Sequence, residues 1–199
     1  MNVATALQDQ AELREEEEAL VDTARAFVPR LREASAEIDR LARIPDDIAD
    51  EFHKVGIYKM TIPRAYGGLE TSISTWRRVV TEIGRGDAGA AWSVTLNTCC
   101  NWMASGFYPR AVTDRIFGQP GSVTAGVFSP RGVKARRVEG GIHVEKAIWF
   151  FNSGVPQANW DLLGVPLLKG SDKATDAGQM EGAGVALIPT SDLTLLNDW

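Results

Sequence analysis

Two adjacent thiols, Cys99 and Cys100, are the strongest nucleophiles this 199-residue chain offers, and its imidazoles are limited to His53 and His143. An adjacent cysteine pair can close only a strained ring that barely restrains the unfolded chain, so both are read as reduced core thiols. The two histidines stand in separate segments with no cysteine or carboxylate at metal-ligand spacing, which leaves a zinc or di-iron centre without support. Gly67-Gly68 and Gly140-Gly141 fall in turns, so they form no strand-to-helix fingerprint for a dinucleotide. Ser153, just before Gly154, has the ordinary look of a turn residue. Trp149, Phe150 and Phe151 read as strand residues whose consecutive members face opposite sides.

The elements that must position these groups follow from composition and periodicity. With 44% hydrophobic and 24% charged residues, the chain has the make-up of a globular protein with a sizeable core. A net charge of −5, without a basic cluster on one face, gives no electrostatic footprint for nucleic acid or an anionic membrane. No apolar run approaches the roughly 18 residues of a membrane span, and the polar, acidic N-terminus is unlike a signal peptide. A cytoplasmic protein is the expectation.

Leu13, Leu20, Val21, Ala24, Phe27, Val28 and Leu31 recur at helical spacing, with the Glu15 to Glu18 run expected in the early turns as a solvated face favoured by the helix dipole. Pro45-Asp46-Asp47 starts a helix that carries Ile48, Phe52 and Val55 and closes at Gly56. Ser72 or Ser74 can cap the next helix, which stops near Gly84 and Gly86. Another then opens at Asp87 or Ala88 and runs to about Gly106, apolar around most of its circumference and suited to the middle of a domain. Pro109 opens a last short helix.

Beyond Ser122 the period changes. Val123 to Val127, Val133 to Val138, Ile142 to Val144, Leu162 to Leu168 and Ala183 to Ile188 are β-rich runs, with a loop expected over Ser171 to Gly182. Helices followed by strands predict an α+β chain with a helical domain over 1–120 and a β-domain over 121–199. The sheet is expected to be incomplete, because the chain stops at Trp199 with an open edge.

Ile62-Pro63-Arg64-Ala65-Tyr66-Gly67-Gly68, followed by Glu82-Ile83-Gly84-Arg85-Gly86-Asp87-Ala88-Gly89-Ala90-Ala91-Trp92, resembles the acyl-CoA dehydrogenase superfamily in order and spacing. Gly140-Gly141, Trp149-Phe150-Phe151-Asn152-Ser153-Gly154 and Asn159-Trp160-Asp161 resemble that family's hairpin, flavin loop and following strand. The resemblance covers about residues 15 to 199. It implies the family's N-terminal helical domain and most of a β-barrel-like or β-sandwich middle domain, without the C-terminal helical bundle. Val127-Phe128-Ser129-Pro130-Arg131-Gly132 lacks the acid and Gly-Ser of true dehydrogenases, so the chain looks more like the oxygenase components of two-component flavin-dependent monooxygenases.

That branch implies a small organic substrate, aromatic compounds included, and a reduced flavin, FMNH2 or FADH2, delivered by a separate flavin reductase. Oxygen adds at the flavin C4a carbon and one atom passes to the substrate, which demands a dry aromatic wall and a hydroxyl at N5. By resemblance, Ser153, with Asn152 as runner-up, is the catalytic partner of N5. Trp92, Phe128, Ser129, Trp149 and Phe151 join Ser153 in holding the cofactor, and Trp92 and Cys100 face the substrate. Many such hydroxylases carry a histidine where this chain has Cys100, a poor base unless its pKa is lowered, which puts a phenol substrate in doubt. Arg131, Arg136 and Arg137 stand as flavin-phosphate contacts or, more simply, as solvated strand edges. An acyl-CoA dehydrogenase using bound FAD, and a non-catalytic or truncated partner subunit, are the alternatives. The family's tetramers imply a homo-oligomer, or else a separate C-terminal half.

Overall fold

The structure, a computed structural model, describes residues 3–129, 132–168 and 180–196. Helices α1 (Val3–Ala26), α2 (Val28–Leu41), α3 (Asp46–Lys54), α4 (Ile73–Gly86), α5 (Ala88–Phe107) and α6 (Arg110–Phe117) come first. Strands β1 (Thr124–Val127), β2 (Lys134–Val138), β3 (Gly141–Lys146), β4 (Trp160–Leu168) and β5 (Met180–Pro189) follow. This is the α+β order that the sequence predicts, helices and then small mixed sheets.

The first helical stretch differs in two ways. It breaks at Phe27, where Pro29 in the first turn starts α2. It also begins at Val3, so Glu15 to Glu18 lie mid-helix instead of in a first turn, and Leu13 is exposed. Nor is the acidic run merely solvated. Glu17 accepts hydrogen bonds from the Ser72 backbone N–H at 2.6 Å, from Ser72 Oγ at 3.0 Å and from Thr75 Oγ1 at 2.7 Å, so it completes the N-cap of α4. Arg78 pairs with Glu18 and Arg64 with Glu16.

The remaining starts fall where expected. Pro45 precedes α3, Ser72 Oγ caps α4 by accepting from the Thr75 N–H, and Pro109 precedes α6. Asp87 caps α5 by accepting from the Ala90 N–H at 2.7 Å, and Ser35 donates to its other oxygen. The core of the helical part joins Val21, Leu31, Ile38, Ile48, Phe52, Tyr58, Val79, Ile83 and Val94. Between α3 and α4 the chain hooks so tightly that Gly68 lies against the Ile62 carbonyl, where a Cβ would come within 1.9 Å of the oxygen.

β4 lies between β1, which it pairs in parallel from Thr124↔Trp160, and β5, which it pairs antiparallel from Trp160↔Pro189. Being central explains its nearly unbroken apolar sequence: Trp160 through Pro166 are all buried. β2 and β3 form a separate antiparallel ribbon turned at Gly140, whose φ of +82° suits glycine. Trp160 and Leu162 pack on Ala104, Ile116 and Phe117, which docks one sheet face onto α5 and α6. Met180 to Gly182 belong to β5, whereas the rest of the loop expected over 171–182 lies outside the described residues.

Candidate functional site

α5 is fastened to the sheet by two asparagines one helical turn apart. Asn97 Nδ2 donates to the Thr124 and Gly154 carbonyls, each at 3.0 Å. Asn101 donates to the Tyr58 carbonyl at 2.8 Å, and its Oδ1 accepts from Thr124 N at 2.8 Å and Thr124 Oγ1 at 2.9 Å. Both asparagines are fully buried. They fix α5, β1 and the segment before β4 relative to one another, with Gly154, at φ +81°, held against Asn97.

On this frame Trp92 Nε1 donates to Ser153 Oγ at 3.1 Å. Ser153 is buried, whereas Trp92, near the N-terminal end of α5, is 52% exposed. α5 is therefore not enclosed all round: Trp92, Trp102 and Phe107 stand exposed along it. Trp149 donates its indole N–H to the Gly164 carbonyl at 2.8 Å. Phe128 runs close on the same glycine, since a Cβ on Gly164 would meet the Phe128 carbonyl oxygen at 2.1 Å.

Residues 147–154 are not strand, so the expected alternation of Trp149, Phe150 and Phe151 does not hold. Trp149 tucks in, while Phe150 and Phe151 are both exposed, at 56% and 87%. Phe151 takes φ +61°, a strained value for a side chain with a Cβ. β1 ends at Val127, so Phe128 and Ser129 lie just past it and are exposed. Arg131 lies outside the described residues, and Arg136 and Arg137 fall within β2.

A cleft of about 930 Å³ opens on the opposite sheet face from Trp160, lined by Trp149, Phe150, Phe151, Asn152, Asp161, Leu163 and Ile188. Among the residues that the resemblance assigns to cofactor, substrate or catalysis, Trp149, Phe151 and Asn152 border it. Trp92, Ser153, Cys100, Phe128 and Ser129 do not. Cys100 is buried behind β1, and burial pushes its thiol up to about 12, with the nearby Asp161 carboxylate adding to the effect. It is neither a base nor a nucleophile near neutral pH.

Asp161 is the group that sequence reasoning passed over. Its carboxylate is fully buried, accepts from Asn152 Nδ2 at 2.5 Å, and is raised by burial to about 6 against the lowering effect of that hydrogen bond. The available signal was a lone acid in an otherwise apolar strand run. Among the described residues no group of side chains is arranged to hold a metal ion.

Residues 14–107 match the family "Acyl-CoA dehydrogenase, N-terminal domain". That match covers the helical part of the chain, just under half of its length. It is 29% identical over 145 residues, 72% of the chain and 37% of the relative, to "Flavin-dependent monooxygenase, oxygenase subunit HsaA" of Rhodococcus jostii (strain RHA1). It is 28% identical over 184 residues, 92% of the chain and 43% of the relative, to "Indole-3-acetate monooxygenase" of Pseudomonas putida. XiaF from Streptomyces sp., solved in complex with FADH2 and glycerol, superposes with a TM-score of 0.84 at 26% identity over 96% of this chain and 46% of that one. The acyl-CoA dehydrogenase-like chain thus spans less than half the length of these relatives. Among its described residues no helix is long and apolar enough to cross a membrane.

Proposed function

We propose that the chain is the flavin-facing part of an oxygenase component that uses reduced flavin and O2 to oxygenate a small aromatic substrate. The observation that carries this reading is the Trp92 to Ser153 hydrogen bond. Ser153 Oγ accepts from the indole and keeps a second lone pair, with which it can accept from the N5–H of a reduced flavin. Asn97 holds Gly154 next to it and so restrains that hydroxyl. Trp149, Phe128 and the exposed Phe150 and Phe151 supply the apolar surface against which a planar ring and a dry pocket can be built.

The flavin, FMN or FAD supplied in reduced form by a separate reductase, would bring the oxygen chemistry, and the chain's residues would orient it and exclude water. Ser153 would hold the proton at N5, Trp92 would fix the direction of the Ser153 hydroxyl, and Asn152 would position the loop. Helical and β-domains over 1–120 and 121–199, and self-association of subunits, belong to the same proposal. The motif at Val127 to Ser129, which lacks the dehydrogenase acid, favours the oxygenase over an acyl-CoA dehydrogenase.

The test is to mix the protein anaerobically with reduced FMN or FAD, add oxygen, and follow flavin absorbance on the millisecond scale. Reoxidation slower than that of free flavin, and faster again in Ser153→Ala, is the expected result. A trace indistinguishable from free flavin overturns the reading.

A further inference from the structure

Asp161 is a buried ionisable group that the proposed flavin contacts do not use, and it stands in a strand that is otherwise apolar. On the central strand β4 it faces away from Trp160 and Leu162, with Ala125 and Ile188 as its neighbours across the sheet. Its carboxylate is sealed from solvent, and burial opposes its charge. What offsets this is the Asn152 amide at 2.5 Å and the Leu162 backbone N–H, with no cation contributing. Such a conflict between a side chain and its surroundings is characteristic of functional sites.

Its partner lies in the loop that carries Ser153. Three consecutive residues are tied down there, Asn152 to Asp161 on β4, Ser153 to Trp92 on α5 and Gly154 to Asn97 on α5. Immediately before them Phe151 holds φ +61°, and its ring is too exposed for packing to maintain that strain. Strained backbone persists only where its surroundings over-determine it. Asn97 secures the far side of Ser153, and Trp92, half exposed, is a soft tether. On the near side, Asp161 is the only hydrogen-bond partner of the Asn152 side chain among the described residues.

We propose that Asp161 is a positioning residue for Ser153: through the Asn152 amide it holds the loop in the strained turn that directs Ser153 Oγ at flavin N5. A carboxylate suits this task better than a neutral acceptor, because a charge-assisted hydrogen bond is shorter and stronger. It touches neither flavin nor substrate, since the side chain is enclosed. The flavin contact in this assignment rests on the oxygenase reading, whereas the hold on Ser153 does not.

The experiment compares Asp161→Val, which has no acceptor, with Asp161→Asn, which keeps one, and reads the Trp92 indole N–H resonance of the flavin-free protein. Asp161→Val is expected to move that resonance as Ser153→Ala does, and Asp161→Asn to leave it close to its original place. In the flavin mixing experiment the same order is expected, with reoxidation about tenfold faster in Asp161→Val and within about twofold of the unaltered rate in Asp161→Asn. A Trp92 resonance unmoved in folded Asp161→Val, an equal shift in both variants, or slow reoxidation that persists in Asp161→Val would each overturn the proposal. If Asp161→Val does not fold, Asn152→Ala, which cuts the same hydrogen bond from the loop, takes its place with the same expectations. Failure of the oxygenase reading looks different: the unaltered protein then does not slow reoxidation, while the resonance still reports whether Asp161 holds Ser153.

Discussion

Trp92 and Ser153, 61 residues apart in the chain, are joined by an indole-to-hydroxyl hydrogen bond of 3.1 Å at the junction of α5 and the loop before β4. Because Trp92 is half exposed, its N–H can turn to water when the hydroxyl is lost. Ser153→Ala should therefore lower stability by about 1 kcal/mol or less. The Trp92 indole N–H resonance should shift more than that of any other tryptophan. If it does not move, the two residues are not partnered in solution.

Asn101 has no such recourse. It is fully buried, and Asn101→Ala strands the Tyr58 carbonyl together with both Thr124 donors. A loss of about 2–4 kcal/mol is expected in urea unfolding, with the far-UV circular dichroism of the folded state unchanged. A loss below 1 kcal/mol would mean that water replaces the side chain.

Gly68→Ala should prevent the hook between α3 and α4 from closing. The obstacle is the Ile62 backbone, which cannot rotate away as a flexible side chain might. Destabilisation above about 3 kcal/mol, or insoluble protein on expression, is expected. Gly67→Ala, with open space at the Cβ but a φ of +73°, should cost only about 1–2 kcal/mol.

Asp161 gives a pH-dependent effect. Its carboxyl is raised from 3.8 to about 6 in the fold, so the native state holds its proton more tightly than the unfolded chain does. Burying the ionised form therefore opposes folding. The penalty is absent below the unfolded value, grows as pH rises from about 4 to 6, and is complete above that. Asp161→Asn removes it and should stabilise the protein at pH 7 by an amount on the order of 3 kcal/mol, falling toward zero near pH 4. A variant no more stable than the original at pH 7 would show that the carboxylate is already satisfied.

Glu17 works in the opposite sense. Partial burial raises its carboxyl, but hydrogen bonds from the Ser72 backbone and from the Thr75 and Ser72 hydroxyls outweigh this and hold it below the usual range. Its contribution is present above the unfolded value of 4.5 and fades as pH falls through the lowered one. Glu17→Ala should cost about 1–2 kcal/mol at pH 7 through the lost cap, and less at pH 3. Amide exchange at Ser72 to Thr75 would report the change.

What the sequence made legible follows from how local each signal is. Ser72, Asp87 and Pro109 announce helix starts through contacts within a few residues, and each cap lies where its residue type predicts. Gly140 marks its turn for the same reason. Glu17 could not be recognised, because its partners lie 55 to 58 residues away, and an acidic run by itself suggests only solvent. Phe150 and Phe151 looked like strand residues because aromatic composition cannot reveal that the pairing had already ended at Lys146. Asn97, Asn101 and Asp161 depend on which backbone groups tertiary packing leaves unpaired. The only hint was a polar side chain in an apolar stretch.

The parallel pairing of β1 with β4 also bears on the order of assembly. The β2–β3 ribbon needs only a tight turn at Gly140 to form, and the β4–β5 pair joins consecutive strands. β1, by contrast, pairs with nothing near it in sequence: Thr124 must wait for Trp160, across the whole ribbon and the aromatic loop. Contacts between residues so far apart close slowly, because the loop entropy is lost before any pairing is gained. During synthesis the helical segment therefore emerges with β1 attached but unpaired, and the contact between Trp92 and Ser153 waits for the loop before β4.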